Sequence, residues 1–198
     1  MHSRRYYSIL IGVVLVTASV FAGCSAPAPQ QQTAPRAAAP APPYQMTASI
    51  REVMNSIIDP NADVVWLTVG TTIEHGKPTD RAPKTDQEWA EVRHAALTVT
   101  EGANLLMMPN RPVAPPGAGS LTPGVELAPD EVKALIDKNP AAWNVFAQAL
   151  QNAMKPAIAA VDAKDPQALF DAGANIDMSC ENCHQVFWYP KAGTAPAH

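Results

Sequence analysis

Long helix-favouring segments, each bounded by prolines, constrain the fold of this chain most strongly. Residues such as Ala, Leu, Met, Glu and Gln fill the segments 47–71, 85–108, 140–163 and 166–189, and β-branched residues never alternate over a long run. Because a proline lacks a backbone N–H and clashes with the preceding helical turn, it opens, kinks or ends a helix. The sequence therefore predicts four helices and no convincing strand.

Local signals support these boundaries. Thr85 and Glu88 form a Thr-x-x-Glu capping box, and Asp165 precedes a proline at the first turn of the last helix. Pro60 is expected to kink or divide the first segment. The helices are long enough for an antiparallel four-helix bundle, so we expect an all-α domain with that architecture.

The N-terminus has the features of an export signal. A short basic region, MHSRRYYS, precedes a stretch of mostly apolar or small residues that is shorter than the roughly 20 residues a membrane span needs. The stretch ends in Phe21-Ala22-Gly23-Cys24, which resembles the lipobox of bacterial lipoproteins. The resemblance implies that residues 1–23 are a signal peptide and that Cys24 is lipidated. The alternative is an ordinary signal peptide, with Cys24 a free thiol.

Residues 24–43 are rich in Pro and Ala, nearly uncharged and without large apolar side chains, so they predict a semi-extended tether ahead of a folded domain over residues 44–198. Without the predicted signal, which holds Arg4 and Arg5, the chain carries 12 of its 14 Lys and Arg residues and all 18 acidic residues, a net charge of −6. This acidity argues against nucleic acid as a partner and favours a basic protein.

The stretch SCENCH, residues 179–184, contains the chemically informative residues. Cys180, Cys183 and His184 stand at i, i+3 and i+4 of the predicted last helix, which places them on neighbouring positions of its surface. This spacing is typical of covalent haem attachment, of half a zinc site or of a dithiol redox pair, and a short-loop disulfide is a further alternative. Zinc would need more ligands, but the domain's other histidines are isolated: His75, His94 and His198.

Covalent haem c fits this setting best among the alternatives. Cys180 and Cys183 can form thioethers to the two vinyl groups, and His184 can be the proximal iron ligand. An exported helical domain with a single Cys-x-x-Cys-His close to its C-terminus resembles the class II c-type cytochromes, the cytochrome c′ group and its low-spin relatives, over about residues 45–190. The resemblance implies that the haem lies between the helices, joined to the last one, and that the first helix faces the sixth iron position.

Low-spin members of that family use a methionine of the first helix as the sixth ligand, which implies Met54 as the distal ligand here. Met46 lies before the helix, and His94 of the second helix is a weaker alternative. If Met54 only fills the core, the sixth position is open to NO or CO, as in cytochrome c′. Arg51 and Arg93 either pair with the haem propionates or lie in solvent.

We therefore expect a monohaem c-type cytochrome that carries one electron at a time in the periplasm and is anchored to a bacterial membrane by lipid. Its expected partners are periplasmic or membrane redox proteins, and a homodimer is open. One alternative is a gas-binding haem protein, and another is a structural lipoprotein with a disulfide and no haem. The sequence contains no nucleophile–base pair and no paired carboxylates at a mechanistic spacing, so no enzymatic activity is expected.

Overall fold

The structure, a computed structural model, describes residues 44–189. The predicted signal peptide, Cys24, the tether and the last nine residues lie outside the described part. Along the described chain the elements are α1 Ile50–Val53, a π-helical turn Met54–Ile58, α2 Asp59–Leu67, β1 Gly70–Glu74, β2 Lys77–Arg81, α3 Asp86–Leu106, α4 Pro129–Lys138, α5 Pro140–Ala163 and α6 Pro166–Phe187.

The first helical segment runs through Pro60 without a break. Ser49 and Glu52 cap its start reciprocally. The π-helical turn lies directly before Pro60, and the N–H of Asp59 donates to the carbonyl of Met54, five residues back. The wider turn accommodates a ring that would clash with the carbonyl four residues earlier in a regular α-helix. The expected kink is thus a π-turn that begins at Met54.

A β-hairpin corrects the expectation of an all-α domain. β1 and β2 pair antiparallel, with Gly70 opposite Arg81 and Glu74 opposite Lys77. The two turn residues, His75 and Gly76, both have positive φ, as a tight hairpin turn of two residues requires. The prediction of a mostly helical domain is confirmed, but the prediction that it contains no strand is wrong for residues 70–81.

The predicted starts of the long helices are confirmed. Thr85 and Glu88 form the capping box of α3, Asn139 caps α5, and the Asp165 carboxylate accepts from the N–H of Ala168 at 3.0 Å. Helix α3 packs against α2 and α5, and α5 packs against α6. Met154 of α5 is fully buried in the core, whereas Met178 of α6 is 54% exposed.

The connection between α3 and α4 is tied back to the start of α1. The N–H groups of Ile50 and Arg51 donate to the carbonyls of Pro112 and Val113. The buried Arg111 side chain donates to the carbonyls of Leu105 and Ala48, so a guanidinium joins the end of α3 to the entry of α1. Within residues 44–189, no helix combines the length and the apolar character that crossing a bilayer requires.

Candidate functional site

An apolar cleft lies between the first helical segment, α3, α5 and the last turns of α6. Its cavity volume is about 40 Å³, so the side chains around it pack closely. Apolar and aromatic side chains form most of its wall: Ile50, Leu106, Trp143, Phe146, Ala147, Leu150, Phe187 and Trp188. Cys180, Cys183, His184 and Met54 line the same cleft, so the structure brings all four residues of the predicted haem site together.

Helix α6 places the two cysteines and the histidine on one side because they stand at i, i+3 and i+4. Both thiols are free and partly buried. Burial raises the pKa of Cys180 to about 11 and that of Cys183 to about 12. Both groups are therefore neutral thiols at pH 7, whereas the attacking cysteine of a dithiol oxidoreductase has a lowered pKa. The dithiol alternative loses support.

Burial also keeps the imidazole of His184 neutral. Its pKa is lowered chiefly because desolvation disfavours the charged ring, against the opposing effect of nearby carboxylates such as Glu181 and Asp59. A neutral imidazole has a nitrogen lone pair, which is the form that binds a metal. The ring packs edge-on against Tyr189, with 6.0 Å between ring centroids.

Met54 contributes from the first helical segment to the cleft wall. Its side chain is half-buried and packs against the core, and it is the first residue of the π-turn. Met54 and His184 also both line a second, more polar cavity, with Arg51, Asn55 and Glu126. Met54 and His184 therefore lie at the boundary between the apolar cleft and this polar cavity.

Arg51 is the unusual polar side chain of that second cavity. It is only 8% exposed, and its Nη1 donates to the carbonyl of Gly119 at 2.9 Å. Its Nε has no hydrogen-bond partner among the described residues. Arg93, the other predicted propionate partner, forms an exposed ion pair with Asp162 at 2.6 Å and lies apart from the cleft, and His94 is exposed.

The donor set and the walls suit a covalently attached haem. Two unbridged thiols and a neutral imidazole follow one helix face, a thioether lies on another element, and the space they share is apolar. Phe187 packs edge-on against Trp143 and Phe146, with centroid separations of 5.1 and 5.8 Å, which fixes the aromatic part of the wall. Within residues 44–189, no three His, Cys, Asp or Glu side chains cluster in a way that could hold a metal ion by themselves.

The polar cavity contains residues that sequence reasoning did not place. Glu126 and Tyr189 reach it from the loop before α4 and from the end of α6. The N–H of Leu127 donates to the carbonyl of Trp188, which brings these two segments together. No periodic pattern marks such a contact, since both segments are irregular. The proline-rich composition of the loop predicted only that it has no regular structure.

Comparisons of the chain with protein-family models, with curated proteins and with solved structures found no match.

Proposed function

We propose that this protein is a monohaem c-type cytochrome that carries one electron at a time. The observation that supports this best is the shared cleft: Cys180, Cys183, His184 and Met54, from two distant parts of the sequence, line one apolar space. In this proposal the two cysteines hold haem c through thioethers, His184 is the proximal ligand and Met54 the distal one.

The proposal extends to the architecture. The segment α1–α2 together with α3, α5 and α6 forms an antiparallel four-helix bundle of the class II cytochrome type, and the hairpin and α4 are additions to it. The packing of α3 on α2 and α5, and of α5 on α6, supports this arrangement. The short turn between α5 and α6, with Lys164 in a left-handed conformation, returns the chain beside the preceding helix.

When bound, haem supplies an iron that alternates between two oxidation states. The chain's own residues would let the oxidation state change with little rearrangement of the protein. His184, kept neutral by burial, and Met54, the first residue of the π-turn, would both be available to the iron from helical positions. Trp143, Phe146 and Phe187 exclude water from the interior. A thioether ligand and a dry pocket both raise a reduction potential relative to bis-histidine ligation in water.

Arg51 would hold the carboxylate edge of the group. Its buried cation and its unpartnered Nε belong to the polar cavity, which Met54 and His184 also line and the two cysteines do not. An anionic group there would complete the hydrogen bonding of Nε and offset the desolvation of the guanidinium.

The proposed location rests on the sequence alone. A lipid on Cys24 and the tether of residues 24–43 would hold the domain at a bacterial membrane in the periplasm. Such a tether raises the local concentration of membrane redox partners without a new contact. Globomycin, which blocks lipoprotein signal cleavage, should leave the uncleaved chain in the membrane fraction if Cys24 is the lipidated residue.

The test is export of the chain in a host with haem-ligating machinery. The mature protein should carry one haem by mass, give a pyridine haemochrome spectrum, and lose the covalent haem in the variant Cys180→Ser with Cys183→Ser. A colourless protein of the correct mass would refute the proposal.

The sixth ligand is tested by the visible spectrum of the reduced protein. The wild type should show a sharp low-spin α-band. The Met54→Ala variant should show a high-spin spectrum, and its reduced form should bind CO without displacing an axial ligand. Met178→Ala is the matched control, since Met178 is exposed on α6 and lies outside the cleft. A wild-type spectrum that is already high-spin would favour the gas-binding alternative over electron transfer.

A further inference from the structure

Helices α2 and α6 pack less closely against each other than α2 packs against α3 or α5 against α6. The two helices touch at few points, among them Trp66, whose Nε1 donates to the carbonyl of Gly173 at 3.4 Å. The indole lies close to the α6 backbone at Gly173, where a Cβ would be 3.4 Å from Cδ1 of Trp66. A groove runs along the seam between the two helices, with Leu169, Phe170 and Ala174 on its α6 side. The Phe170 ring is 56% exposed, which is unusual for an aromatic side chain without a partner.

The two helices that flank this groove carry only acidic charges, and Arg81 of the hairpin lies near its Phe170 end. Neither α2 nor α6 contains a lysine or an arginine. On α2, Asp59 and Asp63 precede Trp66 by seven and three residues, so they share its flank of the helix. On α6, Asp177 and Glu181 follow Gly173 at successive helical turns. All four carboxylates are exposed, and within residues 44–189 none of them forms an ion pair.

The same carboxylates lie close to the candidate haem site. Asp177 and Glu181 lie three residues before and one residue after Cys180 on α6, and Asp59 lines the polar cavity together with Met54 and His184. A protein that docks on this rim would come within reach of the cofactor edge that the cysteines hold. We call Asp59, Asp63, Asp177, Glu181 and the groove with Phe170 the acidic seam.

We propose that the acidic seam is the docking surface for a redox protein that presents an apolar patch rimmed by lysines and arginines. Charge complementarity selects this occupant, because opposite charges around an apolar centre steer encounter and fix orientation. A second copy of this chain would bring four carboxylates against four, and an anionic membrane would be repelled in the same way. That the occupant is a redox protein rests on the proposed function, whereas its basic, partly apolar chemistry rests on the seam alone.

Three helical peptides of equal length provide the probes. The first has a leucine face flanked by lysines, the second replaces the leucines by serines, and the third replaces the lysines by glutamates. Binding to the exported full-length protein in detergent is measured by interferometry at about 0.01 and 0.1 M salt, where the Debye length falls from about 30 to about 10 Å. The first peptide should bind tightest, weaken at the higher salt concentration, and outcompete the other two.

Substitutions locate the binding. Asp63→Asn with Asp177→Asn removes two rim charges without changing side-chain shape, and it should weaken the first peptide about fivefold, as expected for two exposed pairs of modest strength. Phe170→Ala should remove the preference for leucine over serine. The control is Glu91→Gln with Glu101→Gln, which removes two exposed charges from α3 and should leave binding unchanged.

Two outcomes would overturn the proposal. Equal weakening by the seam and α3 pairs would mean that binding follows net charge alone. A dimer in sedimentation velocity that Phe170→Ala dissociates would assign the groove to a second copy. The haemochrome assay on the same preparation tests the proposed function separately. A protein that carries haem but does not bind the first peptide would therefore refute only the docking surface.

Discussion

The substitution Gly102→Ala should strain the contact that supports Met54. Gly102 is buried in α3, where the π-turn crosses it closely. A Cβ built on Gly102 would lie 2.8 Å from Cγ1 of Ile58 and 3.3 Å from Cγ2 of Ile57. Ile58 is 1% exposed, so its side chain has little room to move away. Either the π-turn or α3 must shift, and Met54 shifts with the π-turn.

The expected magnitude comes from two opposing terms. Alanine stabilises a helix interior by about 1 kcal/mol relative to glycine. Overpacking a buried contact costs about 1–3 kcal/mol. Gly173→Ala isolates the first term, because its Cβ would meet Cδ1 of Trp66 at 3.4 Å, an ordinary van der Waals distance. Gly102→Ala should therefore be less stable than Gly173→Ala by about 1–3 kcal/mol.

The assay is urea unfolding of each variant, followed by far-UV circular dichroism, with an unchanged dependence on urea concentration as the sign of an unchanged fold. If Met54 is the distal haem ligand, as proposed, the Gly102→Ala protein should also show a partial high-spin spectrum, because its Met54 would move with the π-turn. Equal unfolding free energies for the two alanine variants would refute the close crossing of α3 and the π-turn.

Three further changes test other parts of the structure. Trp143→Phe removes the indole donor that bonds the buried carbonyl of Leu106 at 2.8 Å, and it should lower the unfolding free energy by about 1–3 kcal/mol in urea. Arg111→Met removes buried charge-assisted hydrogen bonds to two carbonyls and should cost about 1.5–3 kcal/mol by the same measurement, with an intact far-UV spectrum. The pKa of Glu88 is lowered because its carboxylate accepts from the N–H groups of Lys84 and Thr85. Its contribution is therefore full above pH 4.5 and is lost as the pH falls through the folded pKa, so the stability difference between wild type and Glu88→Gln should shrink below that pH in acid titrations.

The helices were predictable because their signals are local. Thr85 and Glu88 cap α3 by contacts three residues apart, and Asn139 and Asp165 cap α5 and α6 in the same way. The hairpin had a local signal too, since β-branched residues flank His75-Gly76, but the sequence 70–81 is too polar to predict a buried strand. Its two strands pair with each other on the surface, where Ile73 is 72% exposed. They therefore lack the alternation of apolar and polar residues that predicts a strand packed on a core.

Sequence alone determined which residues of α6 act together, because helical spacing fixes Cys180, Cys183 and His184 on one side of the helix whatever surrounds it. Only the tertiary structure decided what faces them. Met54 lines the cleft from the π-turn, and Arg51 lines the neighbouring polar cavity, where it donates to the carbonyl of Gly119 in a distant loop. The pKa values of the thiols and of the imidazole are shifted chiefly by burial. How deeply a side chain is buried, and which residues face each other across a cleft, depend on contacts between distant segments. A local sequence pattern does not predict such contacts.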